Sequence, residues 1–282
     1  TVTARASTDI YLTETAGDMN VGTLYASTGS VVLEAEDGSI VDGLNHEFTN
    51  ILAQSIELTS AGSIGESGNH LDIDVTSGTL TATAEGDILI ADTSDNLNLR
   101  NVLSRSGDVE LTAVLSILDD VDLVDPTDPD SGDDTSSPDS NPAADIMGNN
   151  ITLTATYGYL GVSGNDLDIN SYFSGYGVLT ATSEENAYLI ETDGDLYLNQ
   201  IGTGSEATAF VTVPGGSILN GNPDDESNIT SGMTYLIAAQ DIGQSDDTLK
   251  TAVGNIEGRS TAGSTYLSNT GALEVGGVVA SG

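Results

Sequence analysis

The sequence contains no cysteine and no tryptophan, and only 3 of its 282 residues are phenylalanine. Without cysteine there can be no disulfide framework and no thiolate metal site, although a chain of this kind remains compatible with export. Positive charge is nearly missing as well. Against 44 Asp and Glu stand 5 Lys and Arg, giving a formal net charge of −39. Such a surface repels polyphosphate and anionic lipid headgroups, so nucleic acid is excluded as a partner and cations are favoured. No run approaches the roughly 18 apolar residues of a membrane span, so membrane insertion is not expected. The chain opens at Thr1 with neither an initiator Met nor a basic-plus-apolar leader, and reads as processed or as a piece of something longer.

The hydrophobic fraction of 38 % is enough to build a core, and it consists mainly of Ile, Leu, Val and Ala set among Thr, Ser, Asn, Asp and Gly. The same text recurs along the chain. ILAQSIELTSAGSIGESGNHLDIDV from Ile51 returns as IMGNNITLTATYGYLGVSGNDLDINS from Ile146. LTATAEGDILIADTSDNLNL from Leu80 returns as LTATSEENAYLIETDGDLYL from Leu179 and, more loosely, from Val2. The repeat units fall at about 1–43 (partial), 44–119, 146–221 and 222–282 (degraded). In Ile151-Thr152-Leu153-Thr154 apolar and polar residues alternate at period two, which marks half-buried strands, and no long segment shows a helical period. Gly65, Asn69, Gly161 and Asn165 recur at the corners between strands. This pattern predicts an all-β chain, a right-handed parallel β-helix (β-solenoid), in which each coil of about 20 to 26 residues pairs its strands with the coils above and below.

Between the second and third units runs an acidic segment rich in Pro, Asp and Ser, residues 120–145, which the sequence places as a loop inserted at a coil corner. Asp125, Asp128, Asp130, Asp133 and Asp134 offer closely spaced hard oxygen ligands, so calcium is the candidate cation there, with no cofactor required. The bidentate Glu of an EF-hand is missing. Further carboxylate clusters are Asp92 with Asp95, Glu191 with Asp193 and Asp195, and Asp224 with Asp225 and Glu226; diffuse screening by salt suffices to explain them.

Catalysis finds little support. The imidazoles are His46 and His70, and His70 reads as a solvated turn residue, since the next unit has Asp166 in its place. None of Arg5, Arg100, Arg105, Lys250 and Arg259 sits inside a carboxylate cluster in sequence, as the base of a lyase would. Tyr157, Tyr159, Tyr172, Phe173 and Tyr176 form an aromatic concentration that either pairs across coils or binds sugars or a protein partner.

Phrases such as LTATAEGDILIADTSDNLNL and SIELTSAGSIGESGNHLDIDV resemble the β-strand repeats of filamentous-haemagglutinin-like exoproteins and giant bacterial surface adhesins. The resemblance implies an exported, non-catalytic rod at a Gram-negative-type cell surface, structural or adhesive in role. Its partners would be neighbouring solenoid segments or like subunits, and cell-surface glycans or proteins. An extracellular filament built by coil stacking is the first alternative, and a β-helix carbohydrate-active enzyme the second.

Overall fold

A computed structural model of the chain describes residues 1–120, 144–171, 175–224 and 226–280. These residues are all-β, without a helix, and their parallel strands stack as a β-solenoid of about 11 turns. Local sequence accounts for the strands. Ile56–Ser60 and Ile151–Ala155 alternate buried and outward side chains residue by residue, and β-branched Ile, Val and Thr fill positions on a pleated surface. Side-chain hydrogen bonds between neighbouring turns join residues 20 and 24 positions apart, within the coil length expected from the sequence.

Two columns of strands run along the rod, and the chain crosses between them every half turn. In one column Ile10, Val31, Ile56, Leu80 and Leu99 lie one above the next. In the other Met19 is followed by Ile40, Ile64, Ile88, Val109 and Ile151. The inward Ile, Leu and Val side chains of both columns meet in one continuous core from Ile10 to Ile256. Fully burying each such side chain contributes roughly 1.5–3 kcal/mol, which the ordering of the backbone largely offsets.

The columns show how the repeat winds. Related text begins at Ile10, Ile88, Ala187 and Thr265. Ile10 and Ile88 stand in different columns, because Ile10 leads through Leu80 to Leu99 whereas Ile88 follows Ile64. Ala187 returns to the first column, which passes from Leu97 through Ile117 and Leu160. One copy therefore spans three and a half turns, and equivalent residues of successive copies face opposite sides of the rod. The outward positions differ between copies. Tyr188, Phe210 and Tyr235 stack with centroids 4.6 and 4.8 Å apart and planes within 6°, where the first copy has Tyr11, Val32 and Glu57.

Each copy also opens one strand level into a corner. The strand stops at Asp42, Asp119 or Asn220 and resumes at Ile51, Ile146 or Ile229. The acidic segment thus occupies the place of two shorter loops, and residues 121–143 of it lie outside those described. One turn further on, a second small loop closes with reciprocal backbone bonds between Glu66 and Asn69, Val162 and Asn165, and Gln244 and Asp247. Gly65, Gly161 and Gly243 enter these loops at φ of +75°, +64° and +69°. A Cβ at any of them would run into the carbonyl oxygen of Leu89, Tyr188 or Tyr266 on the next turn, so glycine is required on both counts.

Candidate functional site

Breaking a strand at a buried corner leaves backbone donors and acceptors without their ladder partners, and burial makes that costly. In each copy one side chain replaces the missing partners. In the first corner the Asn50 amide donates to Asp42 Oδ1 at 2.6 Å and to the Gly22 carbonyl at 3.2 Å, while its Oδ1 accepts the Asp72 N–H at 3.0 Å. The third corner repeats this with other residues. Asn228 donates to Asn220 Oδ1 at 2.7 Å and to the Leu198 carbonyl at 2.7 Å, and accepts the Lys250 N–H at 2.9 Å. Asn50 and Asn228 are both 0 % exposed.

The second corner has Asp145 in that position. Its Oδ2 accepts the Asp168 N–H at 2.9 Å, and its side chain faces the Asp119 carboxyl. All three corners also receive the same backbone bond. Leu24, Val102 and Ile201 donate to the carbonyls of Asn50, Asp145 and Asn228 at 2.7, 2.7 and 2.6 Å. The smaller loops rest on these corners, Asn69 donating to the Asp42 carbonyl and Asn165 to that of Asp119, both at 3.3 Å.

A second set of inward acids performs a related task. Asp92 accepts the N–H groups of Val75 and Ser94 at 3.2 and 3.1 Å. Glu191, its counterpart one copy on, accepts the Ser171 N–H at 3.0 Å and the Ser171 hydroxyl at 2.6 Å. Asn269, the next counterpart, accepts the Val253 N–H at 3.1 Å and the Thr251 hydroxyl at 2.8 Å.

Burial sets the protonation of these acids. It raises Glu191 to about 8 against the favourable bonds from Ser171. Asp92 rises to about 6, again chiefly through burial. Asp72 reaches about 6 by burial, with Glu47 and Asp42 adding repulsion that His70 and His46 only partly relieve. Asp145 stands well above the ordinary aspartate value, through burial first and then through Asp119.

The clusters named from sequence prove chemically mixed. Asp92 and Glu191 are buried hydrogen-bond acceptors, which the reading of diffuse surface charge missed; Asp225 lies outside the described residues. Asp125, Asp128, Asp130, Asp133 and Asp134 lie outside them too, as do Tyr172 and Phe173. Tyr157 and Tyr159 follow the C-terminal end of Ile151–Ala155, while Tyr176 precedes the N-terminal end of Val178–Ser183. Those strands pair in parallel, so the tyrosines stand at opposite ends of one face. Tyr176 packs edge-on against Tyr197 at 5.9 Å.

Three of the imidazole and basic side chains have defined partners. His70 Nε2 lies 3.5 Å from Glu110 Oε1, Arg105 pairs with Glu85 at 3.1 Å, and Arg5 covers the Tyr25 ring at 4.5 Å. Among the described residues no group of three His, Asp or Glu side chains is arranged to hold a metal ion. No described helix is long and apolar enough to cross a membrane.

The fold defines a β-solenoid repeat protein. The chain matches no protein-family model, and no curated protein and no solved structure matches it.

Proposed function

We propose that the chain is a segment of an extracellular bacterial rod, a passive scaffold that carries adhesive contacts on its outward rows. One observation supports this most. Buried polar side chains hold the backbone, with Asn50 and Asn228 at the corners and Asp92 and Glu191 on the strands aimed at backbone groups. What varies between copies is the outward surface, from Tyr11, Val32 and Glu57 to the Tyr188, Phe210 and Tyr235 stack. A rod that keeps its core while changing its outer rows suits display better than turnover.

The test is physical. About 11 turns at the spacing of neighbouring strands give a rod roughly 50 Å long. Negative-stain microscopy of the isolated chain is expected to show dispersed short rods, and long unbranched fibres would favour a filament subunit instead. Beads coated with the chain are expected to be retained on surfaces bearing cell-surface glycans or proteins. Retention no greater than that of albumin-coated beads would overturn the adhesive part.

A further inference from the structure

The three corners differ at one atom that matters. Where Asn50 and Asn228 give an amide hydrogen to the side chain of residue 42 or 220, Asp145 meets Asp119, and both are carboxyls. Two ionised carboxylates cannot make that bond, since each has only acceptors. We propose that Asp145 is a built-in proton site: its carboxyl retains a proton at neutral pH and donates it to Asp119, reproducing with O–H the amide bond of the other two corners.

The described surroundings disfavour a second charge. Asp145 is 7 % exposed and Asp168 2 % exposed, so water does not solvate a second negative charge there. From the strand Ile117–Asp119 the group facing Asp145 is Asp119, and from Leu167–Asn170 it is Asp168. The loop before that strand adds the half-buried Asp166, and Glu191 sits one turn beyond, opposite Ile169. On Leu97–Ser104, which pairs with the short strand after Asp145, the basic residue is Arg100, exposed on the outer side. The other Asp145 oxygen already accepts the Asp168 N–H, as Asn50 and Asn228 accept the N–H of Asp72 and Lys250. Among the described residues the Asp168 N–H is the hydrogen given to the Asp145 carboxyl, and the contact with Asp119 is where a proton on Asp145 would lie. The strongly raised protonation range of Asp145 agrees with this placement.

A proton held here and released on unfolding makes folding weaken as pH rises through Asp145's titration, by up to about tenfold in the folding constant per pH unit. The corner of Asp119 and Asp145 is then closed most firmly in acid and loosens toward alkaline pH. In its two counterparts the same bond is made by an amide, which carries no titrating proton.

The experiment follows unfolding midpoints of the full chain between about pH 4 and 9 for the wild type, Asp145→Asn, Asp145→Ala and Asn228→Asp. Asp145→Asn is expected to lose part of the pH slope and to be at least as stable as the wild type at neutral pH. Asn228→Asp is expected to gain a slope of the same sign in the third corner, and Asp145→Ala to be weaker than Asp145→Asn throughout. At neutral pH an infrared difference spectrum, wild type minus Asp145→Asn, is expected to contain the carbonyl band of a protonated acid. Equal slopes for the wild type and Asp145→Asn, or no protonated-acid band, would overturn the proposal. So would an Asp145→Ala variant as stable as Asp145→Asn. A wild-type midpoint that rises with millimolar calcium while that of Asp145→Asn does not would show that a cation joins the two carboxylates, and would overturn it equally.

Discussion

The straight faces and the corners of this solenoid solve the same problem in opposite ways. On the faces the backbone ladder runs on into the next turn, and the inward side chain needs only to be apolar and of the right size. Thus Val31, Ile56 and Leu80 follow one another in a single row. At the corners the ladder is broken, and specific side chains must supply named hydrogen bonds. The faces tolerate exchange among Ile, Leu and Val. At the acceptor position Asp42 and Asn220 exchange freely, but at the donor position exchange of Asn50 or Asn228 for Asp145 changes the proton count. Identity within the copies is therefore set by packing, and difference between them by corner chemistry and the outer rows.

If the faces are interchangeable, equivalent core residues should have equal weight. Leu58 and Leu153 are both fully buried at the centre of equivalent strands. Leu58→Ala and Leu153→Ala are each expected to destabilise by about 2 to 5 kcal/mol, and by similar amounts. Denaturant unfolding of the two variants checks this. A large gap between them would mean that the acidic segment beside the second copy alters its core.

The next contrast sets an acid against an amide in the same inward position, Glu191 against Asn269. Folded Glu191 titrates at about 8, above its ordinary 4.5, because burial disfavours its charge. Its contribution is thus fully present below the ordinary value and is lost as pH rises from there through about 8. Glu191→Gln is expected to flatten stability over that window, and to exceed the wild type in stability at its upper end. Thermal melts across the window measure the effect, and parallel wild-type and variant curves would remove the assignment. Asp92→Asn is expected to act in the same sense over the narrower range from 3.8 to about 6.

Much of the fold was legible in the sequence because its signals are local and repeated. The alternation in Ile151-Thr152-Leu153-Thr154 specifies a half-buried strand, and the copied text specifies stacking. The half-integral winding was not legible, because text order does not say in which column a strand lies. That depends on how many strands complete a turn. The inward acids were within reach. In Ile88-Leu89-Ile90-Ala91-Asp92 the parity that buries Ile88 and Ile90 also buries Asp92, and the same parity places Glu191 with Ala187 and Leu189. Reading every carboxylate as solvent-facing concealed this. Asn50 was not accessible to such reasoning, because it lies outside a strand and its burial and bonds to Gly22, Asp42 and Asp72 depend on how neighbouring turns stack.

The smallest expected effects concern the outer rows, where copies differ most. Phe210 and Val32 hold the same outward position in two copies on the same side of the rod, and only Phe210 lies between two stacked rings. Stacked aromatic pairs contribute about 0.5–1.5 kcal/mol beyond the area they bury, so Phe210→Ala should destabilise by roughly 1 to 2 kcal/mol. Val32→Ala, half-buried between Tyr11 and Glu57, is expected to change stability by about 0.5 kcal/mol. Unfolding midpoints of both variants, measured beside the core pair, decide whether the aromatic row serves stability. If Phe210→Ala proves as mild as Val32→Ala, the rings contribute little to the fold, and their edges become the first outward surface to test for a partner.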